Sequence, residues 1–268
     1  MRKGMTLIEV LVVIAIIGIV MALSLAAIAR TRMVAIRFQS MNQMRQINLA
    51  FHAYSESRGE LPSILNVMVP DGRDCSPFFA IWPLLDYNSR IFVSPADPSL
   101  AFVNPANRTQ EPVEPDAGYS SYAYNALVFT GQARINRIPD GLSNTISLGE
   151  HYARCAKREW AVFIFSLMHS YGDGGSRRPS FADLRYGDVV PITTAGNPRI
   201  TAPSVSGVTF QARPALLESD ATLLQTPHAE GMLTGMMDGS IRTIGPGVTP
   251  NVFWGAVTPN GEEVHQVF

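Results

Sequence analysis

The sequence predicts an α+β protein in which one long N-terminal helix packs on a mostly antiparallel β-sheet body with long loops. Three observations predict it. The 25 residues from Met5 to Ala29 form an apolar run whose one charge is Glu9, and no proline interrupts the chain before Pro62. From Leu61 onward the helical pattern fades, and prolines such as Pro70, Pro77, Pro83 and Pro95 cut the chain into short apolar runs. Finally, Asp140-Gly141, Asp238-Gly239 and Asn260-Gly261 are X-Gly turns, which supply the positive φ angles of two-residue hairpins.

The apolar run sets the organisation. As a helix it would be about 37 Å long, enough to cross a hydrocarbon core of about 30 Å with some tilt. It is longer than the apolar region of a secretory signal, typically about 7–15 residues. A carboxylate inside such a span costs about 2.5–3.5 kcal/mol, so Glu9 calls for a functional partner. The alternative is a plain signal anchor with Glu9 near its edge.

Past the span, Met44, Ile47, Phe51 and Tyr54 recur at helical spacing and define a buried face, with Arg45, Asn48 and Ser55 placed elsewhere. One helix from about Thr6 to about Ser57 is expected, ended by Gly59 and then Pro62. The resulting division is residues 1–4 as leader, 5–29 as membrane span, 30–58 as amphipathic helix and 59–268 as β-rich body.

Within the body, Ser121–Phe129, Thr145–Glu150 and Glu159–Phe165 read as strands. Met232–Met237 with Ser240–Ile244, and Phe253–Thr258 with Glu262–Val267, read as hairpins around Asp238-Gly239 and Asn260-Gly261. Residues 104–118 read as an exposed loop, and Tyr171–Phe210 as a long irregular insertion.

Composition narrows the function. The chain has 268 residues and a net charge of −1, which gives no basic footprint for nucleic acid. Arg2 and Lys3 precede the span while Arg30, Arg32 and Arg37 follow it, so charge counting leaves orientation open. Two cysteines, Cys75 and Cys155, either pair in an oxidising compartment or remain two buried thiols.

Lys3-Gly4-Met5-Thr6-Leu7-Ile8-Glu9-Val10 resembles the leader and start of type IV pilins and type II secretion pseudopilins. The resemblance implies a pilin-like fold, cleavage by prepilin peptidase between Gly4 and Met5, and methylation of the new amine. Met5 stands where Phe is usual. The resemblance also implies that Glu9 offsets the N-terminal ammonium of a neighbouring subunit during assembly. It places the body on the extracytoplasmic side of the inner membrane. The partners implied are the bilayer, prepilin peptidase, and pilin-like subunits or further copies of this chain.

A second resemblance spans nearly the whole chain. His228 and Asp238-Gly239 form a His-x9-Asp-Gly pattern similar to the C-terminal signature of a large bacterial family of unknown function that also carries pilin-type leaders. Met44–Tyr54, Ile138–Ile146 with Gly149-Glu150, and Thr249–Trp254 are similar to other motifs of that family. Ser40 and Met41 stand where the family often has Cys, and Val93-Ser94-Pro95-Ala96-Asp97-Pro98 replaces a Cys-Pro-type element. The expected role of His228 is structural: it bonds the Asp238-Gly239 turn and holds it against the body.

No spacing supports chemistry. His151, His169, His228 and Glu150 lack the spacing of metal ligands, and Asp71–Asp74 and Asp173–Gly175 do not form a calcium loop. Gly-x-Ser-x-Gly is absent, and Glu150 is expected to bury against an amide or an arginine rather than act with His151. Trp82, Trp160 and Trp254 are expected in the core. The chain is therefore expected to have no catalytic residues, cofactor or metal. The competing class is an anchored module that binds a glycan or other ligand through its long loops.

Overall fold

The computed structural model describes residues 7–63, 76–101, 118–129, 134–155, 160–164, 175–182 and 209–259. Helix α1 runs unbroken over Leu7–Arg58. Gly59, at φ +77°, ends it by donating its N–H to the Ser55 carbonyl at 2.8 Å, the stop expected from the sequence.

Among the described residues ten short strands follow. They are β1 (Tyr122–Asn125), β2 (Ile146–Glu150), β3 (Arg154–Cys155), β4 (Trp160–Val162) and β5 (Gly175–Arg177), then β6 (Ser180–Phe181), β7 (Gln211–Ala212), β8 (Gln225–Thr226), β9 (Met232–Met236) and β10 (Ile241–Ile244). The main sheet has the order β10-β9-β2-β1-β6. Its inner pairings are antiparallel, whereas β6 joins β1 in parallel. Two smaller sheets, β3-β4-β5 and β7-β8, also contain parallel pairs. The sheet is thus mixed, because β6 joins the edge beside β1 from a segment distant in sequence rather than through a hairpin.

Alternation along the strands divides the core into two layers. Tyr122 and Tyr124 of β1 and Leu233 of β9 pack with Met44, Ile47 and Phe51 of α1. Ala123, Met232 and Met236 point the other way, toward Phe253 and Trp254. In β2, Ile146 and Leu148 belong to opposite layers although they are two apart. A register shift between them explains this, since one extra residue turns a strand over.

The second layer corrects one expectation. Phe253–Thr258 is not a strand; helix α3 spans Pro250–Val257. Proline in its first turn suits a helix start, and burial of Phe253, Trp254 and Val257 gives it one apolar face. Asn260-Gly261 lies outside the described residues. The Asp238-Gly239 hairpin does form, joining β9 and β10 with Gly239 at φ +87°. The run Phe78–Trp82 contributes α2 (Pro77–Ile81), whose start is capped by Ser76 accepting the Phe78 N–H at 3.1 Å.

A second correction concerns Asn48, which is buried rather than turned away from the core. It stands four residues after Met44 and three before Phe51, so helical geometry places it on their face. Its polarity is accommodated by Ser147, whose hydroxyl lies 2.7 Å from Asn48 Oδ1.

Candidate functional site

The site with the strongest sequence signal is the start of α1. The helix is long and apolar enough to cross a membrane, with a peak mean hydropathy of 3.0, and the body buries none of that window. Its few hydroxyls are satisfied within the helix: Ser24 donates to the Val20 carbonyl at 2.8 Å and Thr31 to that of Ala27 at 2.7 Å. Glu9 lies exposed in the first turn, where the helix dipole favours a negative charge. Gly4 and Met5, the expected cleavage pair, lie outside the described residues.

The body first grips the helix at Arg37. Both terminal guanidinium nitrogens donate to the Gly231 carbonyl at 3.3 Å, and one reaches Thr243 Oγ1 at 3.0 Å. Farther along, Ser40 Oγ lies 2.8 Å from Ser94 Oγ. Gln43 accepts from the Tyr122 hydroxyl at 2.8 Å and donates to the Arg90 and Val93 carbonyls. The two hydroxyls thus link the helix to the 93–98 run.

The signature residues are arranged differently from the expectation. His228 does not bond the Asp238-Gly239 turn. Its Nε2 lies 3.3 Å from Glu150 Oε1, at the opposite end of the β9–β10 hairpin. The turn is held instead by His52 of α1, whose Nε2 lies 2.8 Å from the Met237 carbonyl, and by Asp238 N–H donating to Leu142 O at 3.1 Å. Asp238 Oδ1 accepts the Ser240 N–H within the turn at 2.8 Å. The sequence motif around Asp140-Gly141 and the one around Asp238-Gly239 therefore pack on each other. The β-sheet length between residues 228 and 238 is what separates His228 from the turn.

Glu150 is buried and saturated on one oxygen: Oε2 accepts from the Leu233 N–H at 2.9 Å and the Thr226 hydroxyl at 2.7 Å. It thus buries against a backbone amide, as expected. His151 faces away, with its two ring nitrogens against the Tyr152 and Ala221 carbonyls at 2.6 and 3.2 Å. Among the described residues no three His, Cys, Asp or Glu side chains converge as a metal site. His169, Asp71–Asp74 and Asp173 lie outside them. Cys155 is buried beside Tyr152 O and Gln225 Oε1, and Cys75 lies outside the described residues.

Asp97 is not singled out by charge or spacing, yet it is a buried carboxylate. Its oxygens accept from the Ser99 N–H (2.8 Å), the Ser121 hydroxyl (2.6 Å) and the Ala153 N–H (2.8 Å). Burial pushes its pKa above the usual 3.8, against the opposing pull of those hydrogen bonds. Burial likewise raises the phenols of Tyr122 and Tyr152. The signal available in the sequence was Ser94-Pro95-Ala96-Asp97-Pro98, a turn-forming run whose carboxylate caps three donors.

Residues 1–25 match the family described as the prokaryotic N-terminal methylation motif. No curated protein and no solved structure matches the chain. The N-terminus is therefore a prepilin-type leader on a long apolar helix, joined to an α+β body of pilin-like architecture.

Proposed function

We propose that the protein is a membrane-anchored structural subunit of a pilin or pseudopilin kind. Prepilin peptidase cuts between Gly4 and Met5, the new amine is methylated, and α1 holds the chain in the inner membrane with its body on the extracytoplasmic side. Glu9 then neutralises the ammonium of a neighbouring subunit as the protein joins a type IV pilus-like or type II secretion assembly. A methylation motif continuous with a helix that the body leaves bare is the observation that carries this reading. A bare helix suits a part whose partners are lipid and other helices. The polar contacts of the signature residues support a structural protein rather than an enzyme.

Mass spectrometry of the mature protein tests it. The expected N-terminus is a methylated Met5; an intact Met1, or a cut beyond Ala29, would overturn the reading.

A further inference from the structure

Helix α1 carries cations without matching acids. Between Glu9 and Glu56 it holds Arg30, Arg32, Arg37 and Arg45, and no Asp or Glu. None of the four therefore has a carboxylate three or four positions away on the helix, where an ion pair would form. The body supplies a counter-charge to Arg37, which lies 3.7 Å from Glu230 and also donates to Gly231 O and Thr243 Oγ1. Arg30 and Arg32 are exposed, and among the described residues neither has an ion-pair partner.

The apolar span sets the height of these groups. At about 1.5 Å per residue, Arg30 and Arg32 stand about 2 and 5 Å beyond Ala29, and Arg37 about 12 Å beyond it. The headgroup layer adds about 5–7 Å on each side of the hydrocarbon core. The first two arginines are thus immersed in that layer, and Arg37 stands just above it.

The body hangs directly over one of them. Strand β9 starts beside Gly231 at the level of Arg37, and Met237 just past its end meets His52, so the sheet rises away from the bilayer. The loops left facing the bilayer are those before β9 and after β10. They carry exposed Ala229 and Glu230 on one and exposed Gly245–Gly247 on the other. The two loops touch at Gly231, where a Cβ would collide with the Ile244 carbonyl and Gly245. At about 100° per residue, Arg30 falls within about 20° of Arg37 and about 40° of Met44, on the face turned to the body. Arg30 therefore lies beneath this base, about 10 Å below Arg37, while Arg32 points about 160° away from it.

We propose that Arg30 and Arg32 bind the phosphates of anionic glycerophospholipids, Arg30 in the gap between the bilayer surface and the base of the body, Arg32 on the opposite side of the helix. A guanidinium presents paired N–H donors that match phosphate oxygens, and at this depth headgroups are the anions within reach. Two arginines on one helix face then divide the work: Arg37 grips the body and Arg30 grips the lipid beneath it. The proposal rests on α1 crossing the membrane, but not on cleavage of the leader or on which side the body lies.

The test is lipid retention by the full chain, reconstituted in vesicles of equal phosphatidylglycerol and phosphatidylcholine. Arg2→Gln and Lys3→Gln are present throughout, so that a retained leader adds no cationic side chain. Lipid that stays bound on mild detergent extraction is identified by native mass spectrometry. Phosphatidylglycerol should be favoured about fivefold for each arginine, and the preference should shrink in about 1 M salt. Arg30→Gln and Arg32→Gln should each lower it, and together they should leave the two lipids equal. Arg45→Gln, about 24 Å beyond Ala29, should change nothing. Equal retention with both arginines in place, a preference that survives their joint replacement, or an equal loss with Arg45→Gln would overturn the proposal. A chain that fails to enter the vesicles would overturn the reading of α1 as a span and this proposal with it, whereas an intact leader would overturn the cleavage reading alone.

Discussion

The two halves of α1 share one unbroken backbone and differ in everything else. Through Ala35 every described side chain of the helix is exposed, and apolar residues lie all round it. From Arg37 on, the helix turns one face to the sheet, and a series of polar contacts fixes that face. Arg37 holds Gly231, Ser40 meets Ser94, Gln43 meets Tyr122, Asn48 meets Ser147, and His52 holds Met237. Apolar surface determines that each half is covered. The directional contacts of the second half determine how the body sits on it, because a hydrogen bond has a geometry and the hydrophobic effect does not.

The comparison can be broken most severely by removing function from one half and folding from the other. Glu9→Ala is expected to insert in the membrane and fold normally yet fail to assemble, read as loss of the subunit from purified assemblies. Phe51→Ala should do the reverse. It deletes a ring packed against Phe129 and Phe78, at a cost of about 3–5 kcal/mol read by denaturant unfolding, while anchoring persists.

Glycine substitution sharpens the same contrast. A Cβ at Gly235 would sit 2.4 Å from Asn48 Nδ2 and 3.0 Å from Leu148, so Gly235→Ala should destabilise the body by about 1–3 kcal/mol. A Cβ at Gly18 meets nothing within 4 Å, so Gly18→Ala should leave body unfolding unchanged.

The Ser40–Ser94 contact predicts that a Ser40→Cys, Ser94→Cys pair will oxidise to an intramolecular disulfide. It would stabilise the fold by about 2–4 kcal/mol, checked by comparing unfolding of the oxidised and reduced protein.

The smallest effect expected is a pH dependence from Asp97. Because burial raises its folded pKa, its contribution to stability is complete below the usual value of 3.8. That contribution is lost as pH rises through the folded pKa. Thermal melts of the wild type and Asp97→Asn should therefore diverge most in acid, with the wild-type advantage shrinking as pH rises.

Much of this was legible in the sequence. Helix α1, its glycine stop, the cores of β1, β2 and β4, and the Asp238-Gly239 hairpin follow from periodicity and turn chemistry, which act between near neighbours. The misreadings have a common cause. Phe253–Thr258 reads as a strand beside the Asn260-Gly261 turn, but Pro250 and the apolar face of α3 favour a helix once there is a second layer to cover. His228 was assigned to a turn ten residues away, whereas an extended β9 carries that turn out of reach and leaves Glu150 beside the imidazole. Helical spacing around Met44, Ile47, Phe51 and Tyr54 placed Asn48 off the buried face, whereas it is buried with Ser147, 99 positions later in the chain, as its partner.

By itself the sequence determined that this chain has an apolar helix with a carboxylate near its start, a processing motif ahead of it, and a sheet-rich body behind. Those properties are local, fixed by the solubility and backbone preferences of a few consecutive residues. Only the tertiary structure decided which polar groups meet: Glu150 with His228, Asp97 with Ser121 and Ala153, and His52 with the hairpin. Such pairs form between residues tens to hundreds of positions apart, and their energies depend on distances that exist only once the chain has closed on itself.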